Sequence, residues 1–118
     1  MKTQTKKIGS VLIVALLEER FDATSAPDFL ALMTEWIDSR NMQIVLDFSQ
    51  VDFIDSTALG VIIKCFKWIK QADPGKGELA LCRVNNKIMS LLELTRMDRV
   101  FPVFPDSQEA IEALTVAT

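Results

Sequence analysis

Four apolar runs of strand length, each followed by a longer stretch with helical spacing, constrain this chain more than any other feature it has. The runs cover residues 11–17, 43–48, 78–84 and 99–104, and the helical stretches begin near Ser25, Ala58, Asn85 and Asp106. Strands that alternate with helices join by right-handed crossovers into a mostly parallel sheet. One more strand, residues 3–8, is separated from Val11 by Gly9-Ser10. A two-residue connection of that type suggests a hairpin, so the sheet is mixed, with an antiparallel N-terminal edge strand. The expected order is β-β-α-β-α-β-α-β-α, an α/β fold with about four helices. With 118 residues, no repeat and no linker, residues 1–118 read as one domain with one core.

The helices can be oriented from their spacing. Ser25 is placed to cap the first, with Pro27 just inside it and Asp28 in its first turn. Phe29, Leu30, Met33, Trp36 and Ile37 then share its inner face. In the second helix, expected over 58–70, Leu59, Ile62, Ile63, Phe66 and Ile69 point to the core. Thr57, Gly60, Val61, Lys64 and Trp68 share the opposite face and form a plausible docking stripe. Asn85 or Asn86 caps a third helix running to about Leu94. Asp106 and Glu109 have capping-box spacing for the last, which turns Ala110, Ile111 and Leu114 inward. Pro102 suggests an edge or irregular position for the final strand.

Composition removes several functions. The chain contains no histidine, and so lacks the commonest general base, metal ligand and near-neutral pH switch. A serine nucleophile therefore has no usual partner. Asp47, Asp52 and Asp55 could hold Mg²⁺, but turn and cap chemistry is their more frequent role. Gly75-Lys76-Gly77 lacks the hydroxyl residue and helix of a Walker loop. Neither an enzyme, a metal nor a cofactor is expected. Net charge −3 argues against nucleic acid. Cys65 and Cys82 read as reduced core residues. No apolar stretch approaches the ~18 residues of a bilayer span, and the first residues lack a signal-peptide pattern. A cytoplasmic soluble protein is the expectation, with no membrane insertion.

What remains is a corner. Asp55-Ser56-Thr57 falls where a strand becomes a helix, so two hydroxyls meet unpaired N–H groups and the positive end of a dipole. Such a spot holds phosphate well. With no Gly-rich loop to cradle a nucleotide, the hydroxyls are placed to receive a phosphate instead. Read from these residues alone, Ser56 is more simply a plain helix cap.

The segment Asp55-Ser56-Thr57-Ala58-Leu59-Gly60-Val61-Ile62, entered through Val51-Asp52-Phe53-Ile54, resembles the signature of STAS domains, and more narrowly of bacterial anti-sigma factor antagonists. Phe21-Asp22-Ala23-Thr24-Ser25-Ala26-Pro27 resembles the family's loop before its first helix, and the likeness covers nearly the whole chain. It implies partner switching. The unphosphorylated antagonist binds an anti-sigma factor that is also a serine kinase; phosphorylation releases it; a PP2C-type phosphatase restores it. By position the acceptor is Ser56, with Thr57 as the alternative. Asp22, Thr24 and Asp55 fall at the implied kinase interface, which the helix stripe Thr57, Gly60, Val61, Lys64 and Trp68 extends. An exposed Trp68 stripe could also serve a homodimer. The family usually has Gly-Glu where this chain has Glu19-Arg20, Gly where it has Ala58, and Thr-Gly or Ser-Gly where it has Thr95-Arg96. These departures leave a second reading open: a constitutive STAS scaffold within a transporter or signalling complex.

Overall fold

The computed structural model describes residues 1–116. Its main sheet has five strands in the order β1-β2-β4-β6-β7. They are β1 (Thr3–Ile8), β2 (Val11–Leu16), β4 (Gln43–Asp47), β6 (Glu78–Cys82) and β7 (Val103–Phe104). β1 and β2 pair antiparallel through a turn in which Gly9 takes φ +59°, and the remaining pairs are parallel. The hairpin edge and the parallel body are therefore as expected.

Alternation along the strands divides the core in two. Leu12, Val14, Leu16, Ile44, Leu46, Leu79 and Leu81 face the larger cluster, beneath α1 (Ala26–Asp38), α2 (Ser56–Ala72) and α3 (Asn86–Leu94). Val11, Val45, Ala80 and Cys82 face the other way, toward Ala110 and Leu114 of α4 (Ser107–Val116). On that reverse face, Gln43 is the one buried polar side chain among the described residues. Its amide accepts from Ser10 Oγ at 2.7 Å and donates to the Leu114 carbonyl at 3.4 Å. Cys65 and Cys82 are both free and buried, as expected.

Several boundaries differ from expectation. α2 begins at Ser56, two residues early, because Asp55 supplies its cap. Ser25 occupies the cap position of α1, yet its hydroxyl does not cap that helix. Its Oγ instead accepts the Asp22 N–H at 3.2 Å, within the loop. The last strand shrinks to Val103–Phe104, because Met97–Arg99 form a single 3₁₀ turn. Neither α1 nor α3 ends on glycine: Arg40 and Arg96 take the left-handed conformation there, at φ 69° and 61°. Two short strands, β3 (Arg20–Phe21) and β5 (Phe53–Ile54), pair parallel to each other apart from the main sheet.

Candidate functional site

That small pairing builds the corner. The register sets Arg20 against Phe53 and Phe21 against Ile54. The Glu19 carbonyl accepts the Asp52 and Phe53 N–H groups at 2.7 and 3.1 Å, and the Phe21 carbonyl accepts the Asp55 N–H at 3.3 Å. Phe21 anchors the arrangement. It is fully buried, with its ring 4.7 Å from Phe29 and 6.5 Å from Phe48. Two loops distant in sequence, 19–25 and 51–55, thus run side by side at the carboxyl ends of the strands, where open α/β sheets place their sites.

Asp55 ties them together. With extended backbone it caps α2, its Oδ1 accepting the Ala58 N–H at 2.9 Å. Its Oδ2 accepts the Ala23 N–H of the other loop at 3.0 Å. The Ala58 N–H, opposed by partial desolvation and helped by the N–H groups of Ala23 and Thr57, holds this carboxyl below its ordinary range. Asp22 organises its own turn. Its Oδ1 accepts the Thr24 N–H at 3.0 Å, and its carbonyl accepts the Ser25 and Ala26 N–H groups at 3.1 and 2.9 Å.

Ser56 and Thr57 are the first two residues of α2, and both are exposed. The expected cap role therefore belongs to Asp55, and the Ser56 hydroxyl has no hydrogen-bond partner among the described residues. The corner gathers Asp22, Thr24, Asp55, Ser56 and Thr57. Gly60, Val61, Lys64 and Trp68 lead away along α2. Gly60 and Lys64 are exposed. Val61 and Trp68 are half-buried against the larger core, so the stripe is flatter and less apolar than its sequence suggests.

Sequence reasoning missed the surroundings. The Arg20 guanidinium lies 4.2 Å over the Phe53 ring, and its Nε donates to Asp22 Oδ2 at 3.3 Å. Arg20 was visible only as a departure from the family pattern; its partner Phe53 became a neighbour through a strand too short to predict. On the far side, Asn85 caps α3 through the Ile88 N–H at 2.8 Å and donates to the Asp52 carbonyl at 3.3 Å. Lys87 pairs with Asp52 at 3.5 Å. A groove of about 230 Å³ runs between β5 and α3, lined by Asp52, Phe53, Ile54, Lys87, Ile88 and Leu91. A larger hollow of about 400 Å³ touches Ser10, Arg40, Gln43 and Lys76, around the hairpin turn and the loop before β6, and shares no residue with the corner. As for the acidic trio, Asp47 accepts the Ser49 N–H at 2.9 Å, Asp52 pairs with Lys87 and Asp55 caps α2. Each is engaged in turn, surface-pair or cap chemistry. No described helix is long and apolar enough to cross a membrane.

Comparison with known proteins matches these features to one family. The STAS domain profile covers residues 2–110. The anti-sigma F factor antagonist of Paenibacillus polymyxa is 34% identical over 110 residues, spanning 92% of this chain and 90% of that one. A Thermotoga maritima protein of known structure superposes with a TM-score of 0.85 at 29% identity, covering 96% of this chain and 94% of the other. The Bacillus antagonist SpoIIAA, solved in unphosphorylated and phosphorylated forms, has TM-scores of 0.73 and 0.71 at 14% identity. In its unphosphorylated form it covers 97% of this chain and 98% of its own, a likeness of fold alone. With the profile spanning all but the ends of the chain, this protein belongs to the STAS domain family.

Proposed function

We propose that this protein is an anti-sigma factor antagonist that works by partner switching. Unphosphorylated, it binds an anti-sigma factor with serine kinase activity; phosphorylated on Ser56, it is released; a PP2C-type phosphatase resets it. The observation that carries the reading is the state of Ser56. Its hydroxyl is exposed at the first position of α2, without a capping duty, in a corner braced by Asp55. A side chain so placed is open to a kinase and dispensable to the fold. The anti-sigma F factor antagonist relationship supports the identity of the partner.

The interface centres on Asp22, Thr24 and Asp55 and follows Thr57, Gly60, Val61, Lys64 and Trp68 along α2. Thr57, exposed beside Ser56, is the secondary acceptor. Phosphorylation adds about −1.5 to −2 charge and three acceptor oxygens. A partner packed flush on the corner must then accommodate a hydrated dianion. A loss of about 1–3 kcal/mol weakens binding roughly 5- to 150-fold, enough for a switch. The protein acts in the cytoplasm, where its partners are.

The test is the intact mass of protein from its native cell, with site mapping, for wild type and Ser56→Ala. A phosphate on Ser56 that is absent from the variant, and that weakens binding to the kinase at least about fivefold, is expected. No phosphate under any growth condition sinks the switch and favours a constitutive scaffold.

A further inference from the structure

A phosphoryl group on Ser56 enters an exposed and mostly negative corner. Asp55 is its neighbour in sequence, and Asp22 stands on the loop tied to Asp55 by the Ala23 N–H. The helix terminus gives less than its dipole suggests, because Asp55 already draws on the Ala58 and Thr57 N–H groups. A dianion there needs a cation close by.

Arg20 is built for that part. Only its Nε is engaged, with Asp22 at 3.3 Å, and its flat face rests 4.2 Å over Phe53. Its Nη groups have no partner among the described residues, and its side chain is 64% exposed. The β3–β5 register runs residues 20 and 21 beside 53 and 54. Ser56 follows Phe53 by three residues, at most about 10 Å of extended chain. A guanidinium fork fits phosphate bidentately, whereas its resting pair is a single 3.3 Å contact with Asp22, whose side chain is 22% exposed. Asp22 also keeps the Thr24 N–H if Arg20 leaves.

We propose that Arg20 is the intramolecular receptor for the phosphoryl group on Ser56: on phosphorylation its guanidinium leaves Asp22 and Phe53 and pairs with the phosphate oxygens. This rests on the phosphorylation reading above and goes beyond it. The switch then changes more than one charge. The Phe53 ring, which lines the groove beside α3, loses its cationic cover, and the surface around Asp22 becomes more negative. A partner that reads Arg20 in its resting place loses that contact as well as meeting the phosphate.

The test uses the full chain with phosphoserine encoded genetically at position 56, so no kinase is needed. Phosphorus NMR follows the second ionisation of that phosphate in wild type, Arg20→Gln and Lys87→Gln. Removing Arg20 raises the midpoint by about half a pH unit or more, because a nearby cation favours the dianion. Removing Lys87, paired with Asp52 beyond Phe53, moves it far less. The Arg20 Nε–Hε resonance, shifted by the Phe53 ring, moves between the plain and phosphorylated proteins. An unchanged midpoint in Arg20→Gln, or an equal shift in Lys87→Gln, overturns the assignment. The two readings fail separately: a native cell that never phosphorylates Ser56 refutes the switch, while this titration decides Arg20 regardless.

Discussion

The same substitution at two glycines, Gly60→Ala and Gly77→Ala, has opposite consequences. Gly60 lies inside α2, exposed, and a Cβ built there meets nothing within 4 Å. Alanine in an exposed helix interior is better than glycine by about 0.5–1 kcal/mol. At Gly77 the new Cβ would stand 2.7 Å from the Ile69 carbonyl oxygen, 2.9 Å from Ile69 Cγ2 and 3.0 Å from the Asp73 carbonyl oxygen. Both oxygens belong to the backbone that ends α2, and both are in use. Ile69 O accepts the Asp73 N–H at 3.0 Å, and Asp73 O accepts the Gly77 N–H at 2.8 Å. Relief requires the whole turn to move, so the change falls in the upper part of the ~1–3 kcal/mol overpacking range. At about 4 °C per kcal/mol for a domain of this size, Gly60→Ala raises Tm by about 2–4 °C and Gly77→Ala lowers it by about 8–12 °C. Urea denaturation and calorimetry measure both. A Gly77→Ala protein within about 0.5 kcal/mol of wild type refutes the steric argument, and shifts of the same sign refute the comparison. Gly60→Ala carries a second expectation. Its methyl projects from the proposed docking stripe, so the more stable protein binds the kinase at least about fivefold more weakly. Unchanged affinity would place the interface away from Gly60.

Other outcomes follow from the same geometry. Lys64→Glu, exposed on that stripe, weakens kinase binding while leaving the urea midpoint within error; equal binding removes Lys64 from the interface. Asn85→Ala deletes the cap on the Ile88 N–H and the bond to Asp52, lowering stability by about 1 kcal/mol in urea melts. Asp55 has a folded value below its ordinary one, so its contribution is fully present above the ordinary carboxylate range and is lost as pH falls through the folded value. The gap in urea midpoint between wild type and Asp55→Asn therefore narrows from pH 5 toward pH 2; a constant gap contradicts it. Burial pushes the Cys65 thiol up to about 11 and the Cys82 thiol up to about 12. An aromatic disulfide reagent at pH 8 thus labels neither in the native protein and both in denaturant.

The order of elements and the hairpin were legible because they rest on patterns sustained over many residues. The face of α2 that carries Leu59, Ile62 and Ile69 was fixed by spacing alone. What failed was local or tertiary. Asp55 and Ser56 are both good caps in isolation; the pairing of Ile54 with Phe21 holds Asp55 extended and settles the choice. β3 and β5 contribute two residues each, too few for any period to show. Helix spacing puts Trp68 on the outward face of α2, where exposure and packing under the 73–77 loop are equally open. Its packing against the larger core is a property of the assembled layers, not of its own segment. The corner itself was legible as a motif, but Arg20 over Phe53 required two distant loops to be laid side by side.

The smaller core has a consequence for how the chain is made. Val11, Val45, Ala80 and Cys82 present one face of three strands to a single helix, α4, through Ala110 and Leu114. α4 is the last described element in chain order, whereas α1 to α3 are interleaved with the strands they cover. During synthesis, then, one side of the sheet can be sealed as it grows, while the underside stays wet until every strand has been delivered. The small side chains of Ala80 and Cys82 keep that waiting surface modest, and the hydroxyl corner, on the side completed first, does not depend on when it is closed.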